Sequence, residues 1–92
     1  MKAPEDIRTV TVDLVAAIAE TEVRSVRANQ RLREDLGLDS LQSLELLSSI
    51  GEKLKIDLDV EQAMGIRTVD DACAFVVRQY DEQRRDGQRH AK

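Results

Sequence analysis

The sequence predicts an all-α fold: a small four-helix bundle with three longer helices, one short helix and a long first loop. Three observations carry that expectation. Aromatic residues make up only 2% of the 92-residue chain while hydrophobic residues reach 41%, so the core is aliphatic, a palette that suits packed helices better than a β-sandwich. Apolar residues recur at helical steps of three and four in separate stretches. The period-two alternation of strands is missing, apart from a brief "KIDLDV" at residues 55–60. A chain of this size buries roughly 60 to 65% of its unfolded surface, which bounds it to one modest core.

The first helix is expected over Pro4–Ala19: proline suits a first helical position, Glu5 and Asp6 complement the helix dipole, and Ile7, Val10, Leu14, Ala17 and Ile18 form the apolar stripe. Residues 21–38 lose this periodicity. A connection that long inside a compact domain needs apolar anchors, and Leu32 and Leu36 are the candidates. Asp39 followed three residues later by Gln42 is a capping box opening a second helix, Ser40–Leu54, with Leu44, Leu47, Ile50 and Leu54 on its apolar face. Gly51 inside it is expected to weaken it by about 1 kcal/mol relative to alanine. Asp59 with Gln62 repeats the capping pattern before a short helix that Gly65 ends. Thr68 with Asp71 caps the last helix, whose stripe is Val69, Ala72, Cys73, Val76 and Tyr80. Residues 1–80 therefore form the bundle, and the polar residues 81–92 are expected to be a disordered tail.

Charge narrows the classes of partner. The formal net charge is -4, and the body through Tyr80 carries 10 basic and 15 acidic residues. An acidic body repels phosphate backbones, so the expected partners are proteins with basic patches, not nucleic acid. No basic amphipathic stretch or long apolar run points to a membrane, and the start "MKAPEDIRTV" has acids where a signal peptide would be apolar. A single cysteine and the absence of a disulfide framework suit a reducing, cytoplasmic setting.

Most candidate chemistry has a plainer reading. Nucleophilic catalysis needs a base near its Ser or Cys, and the one histidine, His90, lies in the expected tail. Cys73 sits on an apolar stripe, where a small buried hydrophobe is wanted. Asp57, Asp59 and Glu61 alternate like the start of a calcium loop, but the required glycine and closing glutamate are missing, so no metal is expected. The basic tail reads as a solvated terminus. Ser40 differs. In the first turn of a helix capped by Asp39, its hydroxyl faces outward beside free N–H groups and the positive end of the dipole, a setting that stabilises an attached phosphate ester.

The stretch "LREDLGLDSLQSLELL", residues 32–47, resembles the prosthetic-group site of an acyl carrier protein, with an Asp-Ser-Leu triplet after a Leu-Gly turn. The resemblance covers about residues 7–80, including the Glu45–Leu46 pair, "IDL" before the short helix and "GIRTVDDACAFV". It implies that Ser40, flanked by Asp39 and Leu41, accepts a phosphopantetheine arm from coenzyme A through a separate phosphopantetheinyl transferase. The arm's thiol would carry thioester-bound intermediates between synthase enzymes, and the chain itself would catalyse nothing. The resemblance makes the second helix a docking surface, here Asp39, Leu41, Leu44, Glu45 and Glu52, with Met64 on the short helix. It also turns Leu47, Ile50, Ala63, Ile66 and Cys73 inward, where part of an acyl chain could be admitted.

Gln42, Ser43, Ser48, Ser49 and Gly51 dilute the negative charge found along this helix in fatty-acid carriers. With arginine outnumbering lysine ten to four, that dilution leans toward polyketide or related natural-product synthesis, with an acyl- or aminoacyl-loading ligase or acyltransferase among the partners. A monomer is expected. The alternatives are an aminoacyl carrier, against which Leu38 and Asp39 argue because peptidyl carriers usually differ at both positions, and a helical interaction module with no prosthetic group.

Overall fold

The computed structural model describes residues 3–90, in which α1 (Pro4–Ala19), a 3₁₀ turn (Val23–Ser25), α2 (Ser40–Leu54), α3 (Val60–Ala63) and α4 (Val69–His90) follow one another. α1 packs against both α2 and α4. The expected alternation at residues 55–60 forms no strand; among the described residues the only strand-like pairing is an isolated bridge between Arg31 and Thr68.

The helix bounds follow the local signals, but the buried faces do not follow them everywhere. In α1 the fully buried positions are Ile7, Thr11, Val15 and Ala16, while Val10, Leu14 and Ile18 lie at the margin and Ala17 is exposed. A helix packed on two sides buries a wider arc, and its centre falls between the apolar residues. Thr11 is tolerated there because its hydroxyl donates to the Ile7 carbonyl at 2.9 Å. In α2 the buried row is Leu46, Ile50 and Leu54; Leu47 is half-buried and Leu44 is exposed. At 3.6 residues per turn Leu44 stands on the far side of the helix from Leu46. α4 adds Phe75, which the expected stripe omitted, to Val69, Ala72, Cys73, Val76 and Tyr80.

The long first connection is pinned more tightly than by two leucines. Leu32 and Leu38 are buried and Leu36 half-buried. The loop also runs along the start of α4: Leu32 N–H donates to the Arg67 carbonyl at 2.8 Å, Val69 N–H to Gln30 at 2.9 Å and Asp70 N–H to Ala28 at 2.8 Å. The last two satisfy the first N–H groups of α4, which a helix cannot satisfy itself.

α4 ends later than expected. It runs to His90, so residues 81–90 are helical and the expected disordered tail is corrected for them; residues 91 and 92 lie outside the described residues. The apolar stripe stops at Tyr80, but once a helix is nucleated each added residue gains a backbone bond, and polar contacts take over from packing. Gln83 grips both backbone groups of Asp57, accepting from its N–H at 2.8 Å and donating to its carbonyl. Gln79 donates to Gln62 of α3 at 3.1 Å, and the Arg84 guanidinium lies 5.4 Å from the Tyr80 ring centre. Gln62 is thus tied to α4, and the cap of α3 is Asp59 accepting from Glu61 N–H at 2.9 Å, not the expected box with Gln62.

Candidate functional site

The site is built on the first turn of α2. Asp39 precedes it in extended conformation; its Oδ1 accepts from Gln42 N–H at 2.8 Å, and Gln42 Oε1 accepts from Asp39 N–H at 3.2 Å. This is the capping box expected from the sequence, and it stiffens the turn. Ser40 is the first helical residue and is exposed. The N–H groups of Ser40 and Leu41 have no acceptor among the described residues, unlike the corresponding groups of α4.

The approach to that turn is equally constrained. Gly37 has φ +74°, a left-handed conformation that glycine adopts without strain, and its N–H donates to the Arg33 carbonyl at 3.0 Å. Leu38 N–H donates to the Leu32 carbonyl at 2.9 Å. The resulting tight turn brings the Arg33 side chain to Ser40, and Arg33 Nη2 donates to Ser40 Oγ at 3.2 Å. Sequence reasoning missed Arg33, because a spacing of seven residues across an aperiodic loop carries no positional signal.

Around this turn the docking residues expected from the sequence are all exposed. Leu41 is 72% exposed, Leu44 45% and Met64 79%, with Asp39, Glu45 and Glu52 exposed beside them. Leu44 and Glu52 line one groove between α2 and the segment leading into α3, which Val60, 49% exposed, also lines. Val60, the first residue of α3, was not among the docking residues expected from the sequence. Behind α2 lies a small cavity of about 70 Å³, lined in part by Leu47, Ile50, Ala63 and Ile66, while Cys73 belongs to the core nearby. At about 30 Å³ per water-sized group it has room for two or three such groups, far less than an extended acyl chain.

Cys73 is fully buried, and burial pushes its thiol above the usual range, opposed by Arg8 and aided by Asp70, so thiolate is scarce. Among the described residues no three His, Cys, Asp or Glu side chains come together to hold a metal.

An exposed hydroxyl at a helix start, with a cationic side chain on it and unpaired amides beside it, suits an anionic ester. The family profile for the phosphopantetheine attachment site matches residues 10–76. This chain belongs to the acyl carrier protein family. The carrier is similar to acyl carrier proteins of Prochlorococcus marinus, 33% identical over 72 residues covering 78% of this chain and 90% of the relative, and of Exiguobacterium sibiricum, 32% identical over 70 residues covering 73% and 89%. Its fold matches a solved Mycobacterium tuberculosis chain assigned as an acyl carrier protein, with a TM-score of 0.70 and 30% identity over 76% of this carrier and 93% of that chain. The prosthetic group of the family is phosphopantetheine, and the residues around the first turn of α2 are chemically suited to it.

Proposed function

We propose that Ser40 is the attachment residue and that the carrier, once loaded, shuttles thioester-bound intermediates between biosynthetic enzymes. The observation that carries this reading is the exposed Ser40 hydroxyl on a capped helix start beside the unpaired N–H groups of Ser40 and Leu41. A separate phosphopantetheinyl transferase would join Ser40 Oγ to a phosphorus of coenzyme A, break the pyrophosphate P–O bond and release adenosine bisphosphate, its own base taking the Oγ proton. Asp39 holds the turn rigid for that reaction, and Leu41 offers an apolar contact next to it. The bound group supplies a terminal thiol for acyl cargo. No catalytic residue of this chain is required.

Leu44, Glu45, Glu52 and Met64 form the proposed docking surface, joined by Val60 in the groove. Apolar spots edged by a few carboxylates give fast encounter and ready release, as a carrier visiting several enzymes needs. The thinned charge of α2 supports a specialised partner set, with polyketide or related natural-product synthases in the cytoplasm and an acyl-loading ligase or acyltransferase. Among the described residues no helix is long and apolar enough to cross a membrane. Leu38 and Asp39, where peptidyl carriers usually have other residues, support an acyl carrier over an aminoacyl one.

The test is intact-mass measurement after incubation with coenzyme A and a broad-specificity transferase. The wild type is expected to gain one phosphopantetheine, and a folded Ser40→Ala variant none. An unchanged wild-type mass under conditions that convert a control carrier would overturn the proposal. Offering acyl and aminoacyl donors to the holo form, each with its loading enzyme, then separates the two cargo classes.

A further inference from the structure

Among the described residues, Arg33 is the side chain that hydrogen-bonds Ser40 Oγ. Of the two acidic residues that follow it in the chain, Glu34 forms no ion pair among the described residues and Asp35 is already engaged, accepting from Arg31 N–H at 2.7 Å and lying 3.7 Å from Arg31 Nε. Among the described residues Arg33 enters no ion pair. Its backbone is fixed: the carbonyl accepts from Gly37, and the flanking Leu32 is buried with both its backbone groups bonded. A guanidinium held at 3.2 Å from a neutral hydroxyl gains little there. Beside an anionic oxygen the same group makes a charge-assisted and, with phosphate, a bidentate contact.

From this geometry we infer that Arg33 is a positioning residue that pairs with the phosphodiester attached at Ser40, fixing the first bonds of the arm against the start of α2. The inference rests on the proposed attachment at Ser40. The amides of Ser40 and Leu41 supply further donors on the helix side, so the ester oxygens are flanked from both the loop and the helix. Restricting the root of the arm narrows the directions in which its distal end leaves the surface. The pair is exposed and therefore weakens with salt.

The experiment is NMR on the full chain in its apo and holo forms. On attachment, the Arg33 Nε–H resonance, assigned by its disappearance in Arg33→Gln, is expected to shift, and the shift is expected to shrink at high salt. The phosphorus resonance of holo Arg33→Gln is expected to narrow and to lose the salt dependence seen in the wild type. Arg33→Lys is expected to restore that salt dependence in part, because the charge remains while the planar fork is lost. Intact mass, checked first, separates the two readings. A wild type that gains no phosphopantetheine overturns the attachment and this inference together. A wild type that gains it at Ser40 while the Arg33 and phosphorus signals ignore attachment, substitution and salt overturns the role of Arg33 alone.

Discussion

Gly51 shows how one atom changes the sign of a helix argument. By propensity alone, replacing a mid-helix glycine with alanine gains about 1 kcal/mol. A Cβ at Gly51, however, would stand 2.8 Å from the Ile56 carbonyl oxygen, a backbone atom with no side-chain freedom to move aside. Lys55 and Ile56 both donate their N–H groups to the Gly51 carbonyl, and Lys55 turns left-handed at φ 59°, so the chain folds back directly over the glycine. Overpacking of this kind costs about 1 to 3 kcal/mol. Gly51→Ala is therefore expected to lower the unfolding free energy by about 1 kcal/mol net in urea titration, while Ser48→Ala on the exposed face of the same helix raises it by a few tenths. The expectation that Gly51 merely weakens α2 is thus replaced. At the same scale, Leu44 and Leu46 read alike in the sequence, and only the packing turns one to solvent and the other to the core.

The two capping boxes were legible from residues three apart, since each is closed by bonds within one turn. The box opening α4 also carries a pH signature. Asp71 accepts from Thr68 N–H and Arg67 N–H, each at 3.2 Å, and its own N–H donates to Thr68 Oγ1 at 3.0 Å. The Thr68 and then the Arg67 N–H bonds hold the Asp71 carboxyl below the ordinary aspartate range. A folded-state pKa below the unfolded one means that the carboxylate's contribution is fully present above the unfolded pKa and fades as pH falls through the folded one. The stability gap between wild type and Asp71→Asn, followed by thermal melts against pH, is expected to be widest near neutrality and to close in acid. The C-terminal half of α4 was not legible in the same way. Beyond the buried Tyr80, its contacts with the rest of the protein include glutamine bonds from Gln83 to Asp57 and from Gln79 to Gln62, between residues far apart in sequence.

Across the whole molecule, the arrangement separates a packed support from an exposed apolar face, the proposed docking surface. α1 and α4 supply most of the deeply buried side chains, while α2, α3 and the C-cap of α3 present Leu41, Leu44, Val60 and Met64 to solvent. Leu41, Leu44, Ser48 and Glu52 fall three or four residues apart and so share one face of α2, with Glu45 four residues after Leu41 beside them. If exposed carboxylates guide encounter, salt must screen their effect. Glu45→Lys is expected to slow modification by a transferase severalfold at low ionic strength and much less at high, read from initial rates of mass gain.

The sequence by itself determined the number of helices, the start and end of α1 and α2, the boxes at Asp39 and Thr68, and Ser40 as the first residue of a helix. Those features depend on hydrogen bonds and periodicity within a few neighbouring residues, so the chain states them locally. Only the tertiary structure decided which flank of each helix faces inward, how the long connection is stitched to the start of α4, that Arg33 meets Ser40, and that α4 continues past Tyr80 to steady α3. Each of those results from contacts closed by folding between segments whose spacing in the chain says nothing about their distance in space.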